Sequence, residues 1–312
     1  MIKKSLEMND KHCILIVGAT GTVGREVLRA ARAKGLRIRV LVRSKVRVGE
    51  FSSGVDVVEG DLSDPVAVKR SLKGISAAFY LSPHLADEEK IAEQFTKYCN
   101  ALSIRMVFVG VHVDGASRVS RWIKRTVYGA VMSHYKSKLR LSERVRQLCS
   151  DVVILMPTNF YQNDELIRTS ILENKVFAQP LGLKGINRVD CKDIGEAGVA
   201  ALTDSTIVSG AYPIVGPESL TGPQCAAAWS AALGQSVSYC EDDEVWEPLL
   251  RLSLDGKKLS DILKTYQLIR KYKLATNSKQ VAVTQRLLGR PPRNYQAYVD
   301  ETLKQWRSDT LA

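Results

Sequence analysis

The sequence HCILIVGATGTVG (residues 12–24) joins a short apolar run to three glycines spaced three residues apart. An apolar run of this length that ends at glycine is typical of a buried β-strand. The next stretch, TVGREVLRAARAKG (residues 22–35), repeats its apolar residues at helical spacing and stops at Gly35, a residue favoured just after a helix. The sequence therefore predicts a strand, a tight turn and a helix, in that order.

The alternation of strands and helices continues through the first half of the chain. Further strands are predicted at residues 37–43, 55–60, 75–82, 104–110 and 151–157, with helices at 64–74, 87–102 and about 134–149. Apolar strands separated by helices indicate a parallel sheet covered on both faces. Since such crossovers are right-handed, we predict an α/β fold with a doubly wound, Rossmann-type sheet.

The three glycines suit a dinucleotide-binding turn. Gly18 allows the chain to turn tightly, Gly21 lets backbone amides approach a pyrophosphate, and Gly24 permits close helix–sheet packing. The N-terminus of the following helix adds partial positive charge for the phosphates. Thr20, Thr22 and Val23 lie within the same turn and first helical turn. We predict that these residues bind the cofactor.

The end of the second predicted strand bears on the type of cofactor. It reads Arg43, Ser44, Lys45, with no acidic residue before Glu50. NAD-binding sites usually carry an acid here for the ribose hydroxyls, whereas a guanidinium pairs well with a 2′-phosphate. The sequence favours NADP(H), with NAD(H) as the alternative. A surface arginine without a ligand is the other interpretation of Arg43.

Composition narrows the function classes. The 312 residues carry a net charge of +12, and no apolar run reaches the ~20 residues needed to span a bilayer. The six cysteines and four histidines show no metal-ligand spacing. The basic residues concentrated at 118–146 lack a recognisable nucleic-acid reading element, which argues against nucleic acid as a partner. We expect a cytoplasmic protein without a metal or a membrane segment.

Four motifs together resemble the NmrA-like group of atypical short-chain dehydrogenases/reductases. They are GATGTVG (18–24), GDLSDP (60–65), HYKSK (134–138) and LLGRPPRNYQAYVDETLKQW (287–306). The resemblance implies a Rossmann fold, a small helical lobe and an NAD(P) cofactor in the cleft between them. It also implies a place for eight residues: Asp61 and Leu62 near the adenine, Leu81, Ser82 and Pro83 along the cofactor, and Pro157, Asn159 and Phe160 beside the nicotinamide.

The pattern beyond residue 157 predicts a second, smaller domain. Regular alternation weakens, returns as a strand and a helix at 187–204 and a strand at 210–216, and then becomes mostly helical, with Trp229, Trp246 and Trp306. We predict an NAD(P)-binding domain of residues 11–157 with 187–216. The smaller, substrate-binding lobe would comprise residues 158–186 with 217–312.

The helix near residue 134 carries the candidate catalytic residues. His134 and Lys138 share a stripe with Leu141, Val145 and Leu148, opposite Lys136, Arg140 and Arg144. Lys138 should therefore point inward, where ribose hydroxyls would satisfy it, unless its charge reaches solvent. His134 stands where related reductases keep a tyrosine. It would act as a general acid or, alternatively, bond a backbone carbonyl.

These observations predict an NADP(H)-dependent oxidoreductase. No tyrosine precedes a lysine by four residues, and the serine usual after the fifth strand is missing from FVGVHVDG (108–115). An enone, quinone or imine needs less acid assistance than a ketone, so we expect a small conjugated or aromatic electrophile as substrate. The alternative is a catalytically silent NADP(H) redox sensor that acts through a protein partner.

Overall fold

The computed structural model describes residues 13–45, 53–82, 87–111, 136–271 and 274–311. Backbone contacts divide them into two compact units. The first contains the residues up to Pro157 together with Cys191–Pro213. The second contains Thr158–Asp190 and the residues from Ile214 onward.

The first unit is an alternation of strands and helices. Its elements are β1 (Cys13–Val17), α1 (Thr22–Ala33), β2 (Arg37–Val42), β3 (Val55–Glu59), α2 (Pro65–Leu72), β4 (Ala77–Leu81), α3 (Glu88–Ala101), β5 (Arg105–Val109), α4 (Lys136–Leu148), β6 (Val152–Pro157), α5 (Cys191–Thr203) and β10 (Gly210–Ile214). Most strand residues are buried, as expected for strands covered on both faces.

These strands form one seven-stranded sheet in the order β10-β6-β5-β4-β1-β2-β3. The pairs among β1 to β6 are parallel. Helices α1 and α5 contact each other and share one side, while residues of α2, α3 and α4 enclose a core on the other. The predicted doubly wound α/β sheet is therefore confirmed. Its topological switch point, where the strand order reverses, lies between β1 and β4.

The second unit is built mainly from helices. It contains β7 (Asn159–Phe160), a 3-10 helix (Tyr161–Ile167), a π-helical turn (Ser170–Asn174), β8 (Val176–Phe177), β9 (Ile186–Val189), β11 (Ser219–Leu220), α6 (Gly222–Leu233), β12 (Ser238–Tyr239), α7 (Asp243–Arg251), α8 (Gly256–Lys271), α9 (Ser278–Leu288) and α10 (Tyr295–Leu311). Its short strands form a three-stranded sheet, β11-β9-β7, and a two-stranded one, β12-β8.

The core of this unit is rich in aromatic side chains. Trp229, Trp246 and Trp306 are at most 1% exposed, and Trp229 stacks on Trp306 with ring centroids 4.8 Å apart. Aromatic rings bury large apolar areas, so a small unit gains much of its stability from them.

Strand β9 lies in the second unit, and the sequence predicts it in the other domain. The sequence predicts residues 187–216 in the NAD(P)-binding domain, but β9 pairs with β7 and β11 of the second unit, which also contains the chain from Ile214 onward. The reason is Arg188, whose fully buried guanidinium forms an ion pair with Asp164 of the same unit at 2.7 Å. The regular chain of the first unit resumes at α5, from Cys191.

Candidate nucleotide-binding site

The turn between β1 and α1 lies at the carboxyl end of the sheet, at the switch point. Gly18 has a φ of +85°, a conformation that residues with a side chain rarely adopt. Its carbonyl accepts a hydrogen bond from the Gly21 amide at 3.0 Å, which closes the turn. A Cβ at Gly18 would also lie 3.4 Å from Cβ of Leu81, at the end of β4. The turn therefore depends on glycine here.

Gly24 has no room for a side chain. A Cβ added there would lie 2.0 Å from the Gly18 carbonyl oxygen and 2.8 Å from Cα of Ala19. The sequence predicted that Gly24 allows the helix to approach the sheet. The structure shows that the neighbour it approaches is the backbone of the turn itself. Gly24 thus fixes α1 directly against the turn.

The start of α1 leaves backbone donors for a ligand. The first amides of any helix lack partners within it. At α1 no side chain caps them, and the first turn holds no acidic residue. Thr20, Gly21 and Thr22 are exposed, while Val23 is buried beneath them. An uncapped helix start beside a glycine-rich turn can accept a phosphate group. The residues present therefore fit a dinucleotide pyrophosphate.

Two cations follow the neighbouring strand. Leu41 of β2 is opposite Val17 of β1, so Arg43 follows the carboxyl end of β2 at the same edge as the glycine turn. Arg43 and Lys45 are exposed, and Ser44 is half-buried. Within the described part of the chain, Arg43 makes no hydrogen bond or ion pair. Its guanidinium is thus available to an anionic group of a ligand.

Asp61 and Leu62 follow β3 at this edge. One carboxylate oxygen of Asp61 accepts hydrogen bonds from the Ser63 amide at 2.8 Å and the Ser63 hydroxyl at 2.7 Å. These bonds lower the pKa of Asp61, and the charge of Arg43 lowers it further. Asp61 therefore shapes the turn before α2, and its second oxygen is not used in that turn. Leu62 is half-buried and packs against the core.

The end of β4 brings further polar atoms to the switch point. Leu81 ends β4 next to the position of Gly18, and Ser82 follows it. The buried Oγ of Ser82 lies beside the equally buried hydroxyl of Tyr80. Burial and the nearby Glu88 raise the pKa of Tyr80, which keeps this tyrosine neutral. Pro83 lies outside the described residues.

Helix α4 presents Lys138 on its inner face. Leu141 and Val145, one and two turns further on, are 2% and 0% exposed, and Lys138 on the same face is half-buried. Arg140 and Arg144 on the opposite face are exposed. The predicted inner and outer faces of this helix are therefore observed. His134 lies outside the described residues, so its position stays a prediction.

The three residues predicted beside the nicotinamide divide between the units. Pro157 ends β6 in the first unit and is half-buried. Asn159 and Phe160 form β7 in the second unit, where Arg188 binds both: its Nε donates to Asn159 Oδ1 at 3.0 Å and its guanidinium to the Phe160 carbonyl at 2.8 Å. Asn159 is thus held rigidly in its own unit.

The sequence did not predict the polar network around Arg188. Asp164 accepts from Arg188 at 2.7 Å and from the Trp229 indole at 3.1 Å, and the Tyr295 hydroxyl bonds the same carboxylate. Burial alone would lower the pKa of Arg188, but the attraction of Asp164 outweighs it and the pKa lies above its usual value. The only signal in the sequence was one arginine within a short predicted strand.

Among the residues that the structure describes, no group of three or more His, Cys, Asp or Glu side chains could hold a metal ion. No helix among them combines the length and apolar character needed to cross a membrane.

A parallel sheet in this order, with a glycine turn and an uncapped helix at its switch point, defines the Rossmann class of nucleotide-binding folds. Within that class, the chain belongs to the NmrA-like family, whose sequence profile matches residues 10–288. The resemblance stated from the four motifs is thereby confirmed.

Similar proteins include enzymes and a regulator. The NAD(P)H azoreductase of Xenophilus azovorans is 28% identical over 231 residues, covering 72% of this chain and 76% of the azoreductase. An NADPH-dependent quinone oxidoreductase of Escherichia coli, solved with NADPH, has a TM-score of 0.75 at 18% identity, covering 93% of this chain and 99% of the other. NmrA, a negative transcriptional regulator solved with NADP, has a TM-score of 0.76 at 18% identity, with coverages of 97% and 98%.

Proposed function

We propose that this protein is an NADP(H)-dependent reductase that transfers hydride to a small conjugated or aromatic electrophile. The observation that carries the proposal is the turn at residues 18–24, where three glycines keep side chains away from the turn backbone and the first amides of α1 are uncapped. The relatives that are named as reductases of azo compounds and quinones support the same class of acceptor.

The preference for NADP(H) over NAD(H) rests on Arg43. Its exposed guanidinium follows the strand next to the glycine turn, and Ser44 and Lys45 add a hydroxyl and a second cation. A 2′-phosphate would form charge-assisted hydrogen bonds with such a group, whereas a carboxylate at this place would repel it. Asp61 and Leu62 would border the adenine.

The remaining contacts would position the nicotinamide half. Leu81, Ser82 and Pro83 would line the cofactor after β4, and Pro157, Asn159 and Phe160 would flank the nicotinamide ring. Lys138 would hold the ribose hydroxyls from the inner face of α4. The cofactor supplies the hydride, and the protein supplies binding and orientation. His134 or solvent would supply the proton.

A redox sensor is the second candidate. The likeness to the NADP-bound regulator NmrA favours it, as does the missing tyrosine four residues before Lys138. A sensor would bind the same nucleotide through the same turn and would act on a protein partner instead of a small substrate.

Turnover distinguishes the two candidates. We expect NADPH oxidation with at least one of 1,4-naphthoquinone, 2-cyclohexenone, an imine and the azo dye methyl red, and slower turnover in Lys138→Ala. If NADPH binds but no acceptor is reduced, the sensor is the correct function. If His134→Phe retains full activity, His134 is not the proton donor.

A further inference from the structure

Helix α7 of the second unit has two apolar faces. Trp246 and Leu250, one turn apart, are 1% and 0% exposed and belong to the core of the unit. Val245 and Leu252 lie on another face and are 41% and 79% exposed. Six large apolar residues in the described part of the chain are exposed, and these two share one helix face. The helix thus presents apolar side chains to solvent where a surface helix usually carries polar ones.

The exposed face continues as a stripe along the helix axis. Its members are Val245, Pro248, Leu249 and Leu252, which we name the α7 stripe. At 3.6 residues per turn, these positions fall within about 100° of one another around the helix. Leu252 follows the last residue of α7 but keeps helical backbone angles, with φ −67° and ψ −27°, so the stripe extends to it. Pro248 is exposed and Leu249 is half-buried.

Charged residues of opposite sign lie at the two ends of the α7 stripe. The first turn of α7 is acidic, with Asp243 and Glu244, and the last turn carries Arg251. Glu244 and Arg251 are both exposed, and their separation of seven positions, two helical turns, puts them on the same flank of the stripe. Since about 10.5 Å of helix lies between them, they do not pair within one chain. Arg251 bonds Glu247 instead, while its side chain stays 60% exposed.

A stripe that is acidic at one end and basic at the other is complementary to a copy of itself turned through 180°. In an antiparallel pair of α7 helices, Val245 of each chain would pack near Leu252 of the other. Glu244 of each chain would lie near Arg251 of the other, which gives two equivalent ion pairs. A two-fold interface uses the same surface of both copies in this way. Antiparallel order also places opposite ends of the two helix dipoles together.

We propose that the α7 stripe is a docking surface for a second copy of this chain, with two α7 helices packed antiparallel about a two-fold axis. The inference goes beyond the proposed function and does not depend on it, because it concerns residues of the second unit alone. The stripe supplies four residues from each copy, far fewer than the roughly 20–30 on each side of a standard interface. We therefore expect a weak dimer, with a dissociation constant on the order of 10–100 µM.

The first test removes the most exposed residue of the stripe. Sedimentation of the parent between about 1 and 500 µM should show monomers giving way to dimers. In Leu252→Glu the dissociation constant should rise about tenfold or more, because association would bury a carboxylate against apolar side chains. The matched control is Val66→Glu. Val66 lies on α2 of the first unit and is 71% exposed, so this variant should keep the parental dissociation constant.

Charge reversal tests the antiparallel arrangement. Glu244→Arg and Arg251→Glu should each weaken association about three- to tenfold, because like charges then meet across the two-fold axis. The double variant should return to within about twofold of the parent, because both ion pairs form again with their signs exchanged. Glu244 and Arg251 are too far apart to pair within one chain, so such a rescue can only arise between chains.

Three results would overturn the proposal. The first is a parent that stays monomeric at about 500 µM. The second is a dimer whose dissociation constant is the same in Leu252→Glu as in the parent. The third is a dimer that each single charge reversal weakens and the double variant does not restore. All three measurements are made without NADPH or an acceptor, so they leave the proposed reductase function to its own test.

Discussion

Gly21 and Gly24 show how two glycines of one motif serve different purposes. A Cβ at Gly24 would overlap the Gly18 carbonyl at 2.0 Å, whereas a Cβ at Gly21 would lie 3.5 Å from the same oxygen, an ordinary contact. Gly21 also has a φ of −85°, which any residue can adopt. Gly24 is thus needed for the fold of the turn, and Gly21 is needed only where a ligand approaches.

Substitution by alanine should separate these roles. Gly24→Ala should destabilise the protein by about 1–3 kcal/mol, the cost of inserting a methyl group where there is no space. Gly21→Ala should keep the parental melting midpoint and lose NADPH affinity, since the methyl group meets the pyrophosphate. Thermal melting and nucleotide titration of both variants measure this. Equal melting midpoints for the two would contradict the distinction.

At this scale the sequence predicted the glycine turn but not its contacts. The spacing of Gly18, Gly21 and Gly24 follows from local backbone requirements, which short-range pattern reveals. The network of Arg188, Asp164 and Tyr295 joins residues that are 24 and 131 positions apart in the sequence. No local pattern encodes such pairs, so only the folded chain shows them.

Helix α4 illustrates what amphipathic spacing predicts at the scale of an element. The apolar stripe of Leu141 and Val145 determines which face is buried, and Lys138 follows it inward while Arg140 faces solvent. Two cations only two positions apart on the same helix are therefore expected to differ in function.

Removing each cation tests this expectation. Lys138→Ala should lower kcat/KM for NADPH about 10- to 100-fold, since a charge-assisted hydrogen bond contributes about 1.5–3 kcal/mol. Arg140→Ala should stay within about twofold of the parent, as for an exposed charge. Steady-state kinetics with one acceptor provide the comparison. Equal losses in both variants would show that only the overall positive charge of α4 matters.

Strand β9 depends on a buried charge pair. Arg188→Met should destabilise the second unit by about 3–5 kcal/mol, because it leaves Asp164 buried without its partner. The matched control is Arg270→Met, which breaks the more exposed pair with Asp243 at 2.8 Å and should cost at most about 1 kcal/mol. Chemical denaturation of both variants measures the difference. A loss in Arg188→Met no greater than in the control would contradict the structural role of β9.

The whole molecule combines one unit that its sequence predicts well with one that it predicts poorly. The sheet order of the first unit follows from alternating strands and helices joined by right-handed crossovers. The second unit has strands of only two to four residues, and tertiary contacts determine its arrangement more than local preference does. The pattern still predicted that this part of the chain is mostly helical.

Buried tyrosines predict how stability of the whole chain depends on pH. Burial raises the pKa of Tyr80, Tyr266, Tyr295 and Tyr298, that of Tyr266 to about 12. Since an unfolded tyrosine titrates near ~10, the folded state binds more protons above that pH. Their contribution to stability is thus complete below about pH 10 and is lost as the pH rises toward 12.

Alkaline titration checks this. We expect the ultraviolet absorbance of tyrosinate to rise in two steps, first from exposed tyrosines near pH ~10 and then from buried ones as the protein unfolds. The melting midpoint of the protein should fall over the pH range of the second step. A single absorbance step near pH ~10 with an unchanged melting midpoint would contradict the predicted loss of stability at high pH.

The most direct test of the central claim is calorimetric titration of the chain with NADPH and NADH. We expect NADPH to saturate one site with a dissociation constant of about micromolar order, and NADH to bind at least about tenfold more weakly. Arg43→Ala should narrow that difference, while Arg37→Ala, at the other end of β2, should leave it unchanged. If neither nucleotide saturates the protein at about millimolar concentration, the glycine turn does not bind a dinucleotide and the proposed function is wrong.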